Sequence, residues 1–259
     1  MVLNTIVIDN VSLVRDGRKV LDDFSWHIGQ GEKWLLMGLN GAGKSTVLNM
    51  ISGYLWPTEG RIEVLGEEFG TCELAELRKR IGYVGAYMED MVYPQDSVLE
   101  VVIGGIYAKI GFWGEISEKD RIAAMESLNL AKGLHLANRT FGQLSQGEKM
   151  RALIARAMVS GHDIVILDEP CSGLDPLARE DFLQAVDGMC EACPSMTLIM
   201  VTHHMEEITA SFTHALLLKN GTVYAQGEMD TVLCDKKISG LFDRQAHIGR
   251  YENRFSLHF

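Results

Sequence analysis

No apolar stretch in this sequence approaches the roughly 18 residues that a membrane-spanning helix needs. The longest, such as Ile164–Leu167 and Ala215–Leu218, have the length of buried strands. If the chain serves a membrane, it does so from the cytoplasmic face and through separate partners. The amino terminus, Met1-Val2-Leu3-Asn4, lacks a basic segment ahead of an apolar one and does not fit a secretory signal. Basic runs are missing too. The densest cluster, Arg78-Lys79-Arg80, suits a solvated helix end. With a net charge of -11 and a pI near 5.2, the surface repels phosphate backbones, so nucleic acid is not an expected partner. Cysteine is scarce: five residues, at 72, 171, 190, 193 and 234. An odd count without a secretion signal points to reduced thiols. Cys190 and Cys193 form a lone CxxC, whereas a zinc site takes about four ligands. They fit incidental cysteines near a helix end. Internal repeats and low-complexity segments are also absent.

What is present suits one large α/β domain with a lobed insertion: 259 residues, 47% hydrophobic and 23% charged. Residues 5–15 alternate through Ile6, Ile8, Val11 and Leu13, as a strand does. Asp16-Gly17-Arg18 predicts a turn. Strands follow over Leu21–Ile28 and Lys33–Met37, then a glycine-rich loop and a helix over Thr46–Ile51. Pro57–Gly60 predicts a turn and Arg61–Leu65 a strand. Residues 72–80 predict a helix and Ile81–Val84 a strand. From Ser97 to about Ser160 the pattern is mainly helical, with Val98/Val101/Val102 and Ile122/Met125/Leu128 at helical spacing. Strands return at Asp163–Leu167, Thr197–Val201 and Ala215–Lys219, with a helix over Leu177–Cys190. Such alternation implies parallel strands joined by right-handed crossovers. Residues 246–258, around Gly249 and Asn253, predict a terminal hairpin.

The chemistry begins at Gly38-Leu39-Asn40-Gly41-Ala42-Gly43-Lys44-Ser45-Thr46, which fits GxxxxGK[ST]. Glycines let the backbone turn tightly with N–H groups aimed at phosphate oxygens. The helix that follows adds its positive end. Gly38, Asn40, Gly41, Ala42, Gly43, Lys44, Ser45 and Thr46 are therefore candidate nucleotide-binding residues. Lys44 can neutralise β/γ-phosphate charge, and the Ser45 hydroxyl can ligate Mg²⁺. An apolar strand before the loop and a helix after it supply the context that this mechanism requires.

A second apolar strand, Ile164–Leu167, ends in Asp168-Glu169-Pro170. Ligands of parallel sheets sit at the carboxyl ends of strands. If the two strands are neighbours, Asp168 can hold Mg²⁺, directly or through water, and Glu169 can polarise an attacking water. Alone, such a strand end is as readily an ordinary entry into a solvated loop. A phosphate loop with an acidic strand would also suit a nucleoside kinase or a GTPase.

Between them lies Leu144-Ser145-Gln146-Gly147-Glu148, opening a helix that carries Lys149, Arg151 and Arg156. Ser145 with Glu148 three residues on is a capping box. Ser and Gly at a helix N-terminus can also form an anion site. The segment resembles the LSGGQ signature of ABC (ATP-binding cassette) ATPases, with Gln146 and Glu148 as variant positions. Ser172-Gly173-Leu174-Asp175 resembles the D-loop of that family and Val201-Thr202-His203 its H-loop. There is no Asn-Lys-x-Asp for guanine. The resemblance spans roughly residues 5–235, with the motifs in family order.

The resemblance implies a P-loop NTPase core with a parallel sheet over 1–85 and 160–235. It adds an N-terminal antiparallel β subdomain, an inserted α-helical subdomain over 86–159 and a C-terminal extension over 236–259. It implies an ATPase in which two cassettes, most simply two copies of this chain, sandwich MgATP head to tail. Lys44, Glu169 and His203 would be catalytic, His203 by touching the γ-phosphate. Ser45 and Asp168 would be the metal ligands. Ser145 and Gly147 would contact the γ-phosphate bound by the opposite protomer, and Asp175 would lie at the seam. The implied partners are integral membrane permease subunits, and the implied location is the cytoplasm, peripheral on the inner face of the cell membrane. The alternative is a soluble ABC ATPase of repair, translation or regulation.

Two places depart from the family. The aromatic residue that stacks on adenine is replaced by Arg15, whose guanidinium can stack on a purine; a solvated arginine is the plainer account. After Ile81–Val84, the Pro and Gln of the Q-loop are replaced by Gly85 and Ala86. Ala86 cannot ligate Mg²⁺. Gln95 and Glu89 are the candidate stand-ins.

Overall fold

The computed structural model describes residues 4–251 and 254–259. In chain order it begins with β1 (Asn4–Arg15), β2 (Arg18–Gly29), β3 (Lys33–Gly38), α1 (Lys44–Ile51), β4 (Glu59–Val64), β5 (Glu67–Glu68) and α2 (Leu74–Arg78). There follow β6 (Ile81–Gly85), α3 (Ala86–Met91), α4 (Val98–Ile106), α5 (Glu118–Leu130), α6 (Gln146–Met158), β7 (Ile164–Asp168) and α7 (Pro176–Ala192). The last are β8 (Thr197–Val201), β9 (His214–Lys219), β10 (Thr222–Glu228), α8 (Met229–Val232), α9 (Asp235–Phe242), β11 (His247–Tyr251) and β12 (Arg254–His258). Two compact units result: the chain up to Leu77 together with the chain from Thr197 onward, and Arg78–Met196.

In the first unit, β1 pairs antiparallel with β2 and β4, and β5 lies beyond β4. Strand periodicity puts Ile6, Ile8, Val11, Leu21, Phe24, Trp26 and Ile28 inside, none more than 1% exposed. Strand β3 is buried along its whole length, as a strand covered on both faces must be. It pairs in parallel with β8 on one side, Leu36 opposite Val201, and with β9 on the other, Leu36 opposite Leu216. Strand β10 continues antiparallel from β9. Leu35 is fully buried in β3. Leu35→Ala is expected to cost about 2–5 kcal/mol, read from the shift in denaturant midpoint. The predicted terminal hairpin corresponds to antiparallel β11 and β12; Asn253 lies outside the described residues.

In the second unit, β6 and β7 run parallel, from Ile81 opposite Ile164 to Gly85 opposite Asp168. Helix α4 begins at a capping box of Ser97 and Glu100 and buries Val98, Leu99, Val101, Val102 and Ile103. Helix α5 forms where expected, but Ile122 and Met125 face solvent and Ala124, Ser127 and Leu128 face inward. The fold class is the one expected: mixed α/β with parallel strands and an antiparallel N-terminal β sheet. Helix α1 starts at Lys44, earlier than the sequence suggested, because Gly43 serves as its N-cap.

Candidate functional site

The phosphate loop leaves β3 at Gly38, where an added Cβ would stand 2.4 Å from the Leu218 carbonyl oxygen. Only glycine lets β3 and β9 approach so closely there. Gly43 has φ +110°, and a Cβ there would meet Leu21 Cδ2 at 2.8 Å. Between them the Ala42 N–H donates to Leu39 O (3.1 Å), and the Gly221 N–H donates to Ala42 O (3.0 Å). Lys44 is buried, and its Nζ donates to Gly38 O (2.9 Å) and Leu39 O (3.2 Å). These carbonyls hold a cation that burial would otherwise penalise. Helix α1 has no side-chain cap and no acid in its first turn. Its N–H groups and positive end are thus available to an anion. Asn40, Gly41 and Ser45 are exposed, Thr46 is half-buried and Ala42 is buried.

Two other predicted residues belong to this unit. His203 follows the end of β8, the parallel neighbour of β3, so it and the loop emerge at the same sheet edge. Its segment is braced: the Thr202 hydroxyl donates to the buried Glu207 carboxylate and accepts the His204 N–H at 3.0 Å. His203 is half-buried, whereas His204 is exposed and lies 3.7 Å from Glu206. Arg15 is exposed at the β1–β2 tip, opposite Arg18. From that tip β2 returns to Val20 and Leu21, which touch the Gly43 position.

The second unit brings together the acidic strand end, the D-loop and the signature. Asp168 is half-buried, and its Oδ2 accepts a 2.6 Å hydrogen bond from the Tyr83 hydroxyl of β6. The sequence reasoning missed Tyr83. The signal was the parallel pairing of β6 with β7, which sets Tyr83 diagonally across from Asp168. Glu169 is exposed and left-handed, with φ +48°. Its carbonyl accepts the Ser172 N–H at 3.1 Å. Asp175 caps α7: Oδ1 accepts the N–H groups of Leu177 and Ala178, both at 2.9 Å, with Pro176 next in the chain.

At the signature, both bonds of the capping box are formed. The Ser145 N–H donates to Glu148 Oε2 (2.8 Å), and the Glu148 N–H donates to Ser145 Oγ (3.4 Å). Arg139 Nη1 meets Glu148 Oε1 at 2.5 Å. The Ser145 backbone N–H, then its hydroxyl and Arg139, hold the Glu148 carboxyl below its usual range against the opposing effect of burial. A depressed carboxyl pKa gives stability that is present above the unfolded value, about 4.3. That stability is lost as pH falls through the depressed folded value. Ser145→Ala keeps the backbone N–H but removes the hydroxyl cap, so it should cost about 1 kcal/mol at neutral pH, and only the hydroxyl's smaller share of the carboxyl shift should fade on acidification, as thermal melts would show. Gly147 is half-buried against Ala178 of α7.

Ala86 opens α3 and is exposed, as is Gln95. Glu89, on the same helix, is committed elsewhere: Oε2 accepts from Gln146 Nε2 (2.6 Å) and Oε1 pairs with Lys149 Nζ (2.9 Å).

Comparison with known proteins gives the family. The family model described as "ABC transporter" matches residues 21–172. The uncharacterized ABC transporter ATP-binding protein YlmA of Bacillus subtilis (strain 168) is 44% identical over 93% of this chain and 92% of its own length. The bacterial ABC transporter cassette MJ0796 is known as a dimer and in a post-hydrolysis state bound to ADP and Pi. Both structures superpose with a TM-score of 0.74 at 28% identity, covering 86% of this chain and 98% of theirs. The cbiO1 protein of Clostridium perfringens, part of the ABC transporter complex cbiONQ, superposes with a TM-score of 0.78 at 25% identity, covering 91% of this chain and 92% of that one. With its phosphate loop, signature helix and acidic strand in the family order, the chain belongs to the ABC transporter family, as an ATP-binding subunit.

Proposed function

We propose that this chain hydrolyses MgATP as one of two head-to-tail cassettes and thereby powers an ABC transporter. The observation that carries the proposal is the buried Lys44 ammonium, held by Gly38 and Leu39 carbonyls beside the uncapped start of α1. Backbone N–H groups over 38–46 bind the phosphates, and Lys44 offsets their β/γ charge. Ser45 and Asp168 offer oxygen ligands, the donor type that suits Mg²⁺. When bound, that ion neutralises charge on the β- and γ-oxygens. Glu169 orients and deprotonates the attacking water, and His203 donates to the γ-phosphate. Arg15 stacks on the adenine.

Across the dimer, Ser145 and Gly147 meet the γ-phosphate held by the partner protomer, and Asp175 lies at the seam. At Ser145 the oxygen accepts the Glu148 N–H, and the O–H, which supports the Glu148 carboxylate in the single chain, would turn to the γ-phosphate in the dimer. The dimeric MJ0796 cassette supports the pairing. Membership of cbiO1 in a transporter complex supports a permease partner and a peripheral place on the inner face of the membrane. Among the described residues, no helix is long and apolar enough to cross a membrane itself.

The test is co-purification of the tagged chain from detergent-solubilised membranes of its native cell. Recovery with an integral membrane protein, and stimulation of its ATPase by that protein, are expected. Recovery only from the soluble fraction, with full ATPase activity, would favour a non-transport ABC ATPase.

A further inference from the structure

Helix α3 has no fully buried side chain, and its Tyr87 meets Tyr83 edge-on at 6.4 Å between ring centroids, so apolar packing alone holds it weakly. Two further connections tie it in, one through the chain and one through side chains. At its start it continues directly from β6, which meets Asp168 closely: the Tyr83 hydroxyl reaches Oδ2, and a Cβ at Gly85 would stand 2.8 Å from the Asp168 carbonyl oxygen. Further along, Glu89 engages both its carboxylate oxygens with the first turn of α6, one with the Gln146 amide and one with the Lys149 ammonium. The two charged side chains are only 22% and 17% exposed. A pair this well covered is expensive to break one-sidedly, because the survivor stays charged and desolvated. Gln146 sits between Ser145 and Gly147 and occupies a variant position of the signature. A residue foreign to the family pattern thus receives the other end of the strut.

We infer that Glu89 is a positioning residue for ATP turnover, transmitting the place of the Asp168 strand pair to the first turn of the signature helix. It does so through Gln146 and Lys149. This rests on the proposed dimeric ATPase. Engagement of both Glu89 oxygens within the strut favours the positioning role over that of a stand-in for the missing Q-loop glutamine. The strut residues Glu89, Gln146 and Lys149 are none of those assigned to the phosphate loop. Loss of the strut should spare nucleotide binding at the phosphate loop and weaken the step that needs the signature in register.

The experiment uses the full-length chain carrying Glu89→Ala, Lys149→Met or both. Three readouts are needed: steady-state ATPase, affinity for a fluorescent ATP analogue, and ATP-dependent dimer affinity in a Glu169→Gln background. Glu89→Ala is expected to keep analogue affinity within about twofold, while kcat and dimer affinity each fall about tenfold. The two substitutions should be non-additive in dimer affinity, because each breaks the same pair. A merely structural role would lower the melting temperature and the active fraction and leave the dimer affinity of the folded protein unchanged; that result overturns the proposal. So do additive effects, or native kcat and dimer affinity in Glu89→Ala. Failure of the unsubstituted chain to hydrolyse ATP, or of its Glu169→Gln form to dimerise, would instead reject the functional reading beneath it.

Discussion

Glu169→Gln is expected to arrest turnover while ATP stays bound and the dimer accumulates. The substitution is nearly isosteric, so the carboxyl end of β7 should keep its shape. The left-handed backbone at Glu169, φ +48°, suits Gln no worse than Glu, which leaves folding unaffected. What disappears is the carboxylate that takes a proton from water, an effect of about 10²–10⁴ on kcat. Phosphate release should fall by that factor, and size-exclusion chromatography with ATP should show a dimer absent without it. Turnover within about tenfold of native would remove Glu169 from the role of base.

The second large effect is expected at Lys44. Lys44→Ala deletes a buried cation that donates to Gly38 O and Leu39 O and is proposed to meet the phosphates. Charge-assisted hydrogen bonds contribute about 1.5–3 kcal/mol each, so losing those to the β/γ-phosphates should weaken ATP by at least about 10²-fold. The two carbonyls also lose a donor, at a cost of about 1–3 kcal/mol in fold stability. A melting curve separates the two losses. Retention of near-native ATP affinity in a folded Lys44→Ala protein would refute the site.

The local structure at these candidate positions was legible because its signals are local. The phosphate loop is a strand, a glycine-rich turn and a helix start within one short segment, each dictated by residue type. The capping box at Ser145 and Glu148 was likewise visible as spacing, and it forms as written. Asp175 ahead of Pro176 carried an N-cap signal that the D-loop resemblance overshadowed. The Glu89 strut was not legible, since it joins residues 57 and 60 positions apart and only the tertiary fold brings them together. Helix α5 shows a different limit. Its apolar spacing announced a helix, yet the neighbours select Ala124, Ser127 and Leu128 for burial and leave Ile122 outside. Short elements such as β5, α3 and α8 have too few residues for any periodicity to register.

The central claim is that backbone amides over 38–46 grip a triphosphate whose metal is also held by the carboxylate at 168. Its most direct test is calorimetric titration of ATP with and without Mg²⁺, on the native chain and on Asp168→Asn. Mg²⁺ should tighten ATP binding in the native chain, and that gain should vanish in Asp168→Asn. An equal Mg²⁺ gain in both proteins would contradict the account.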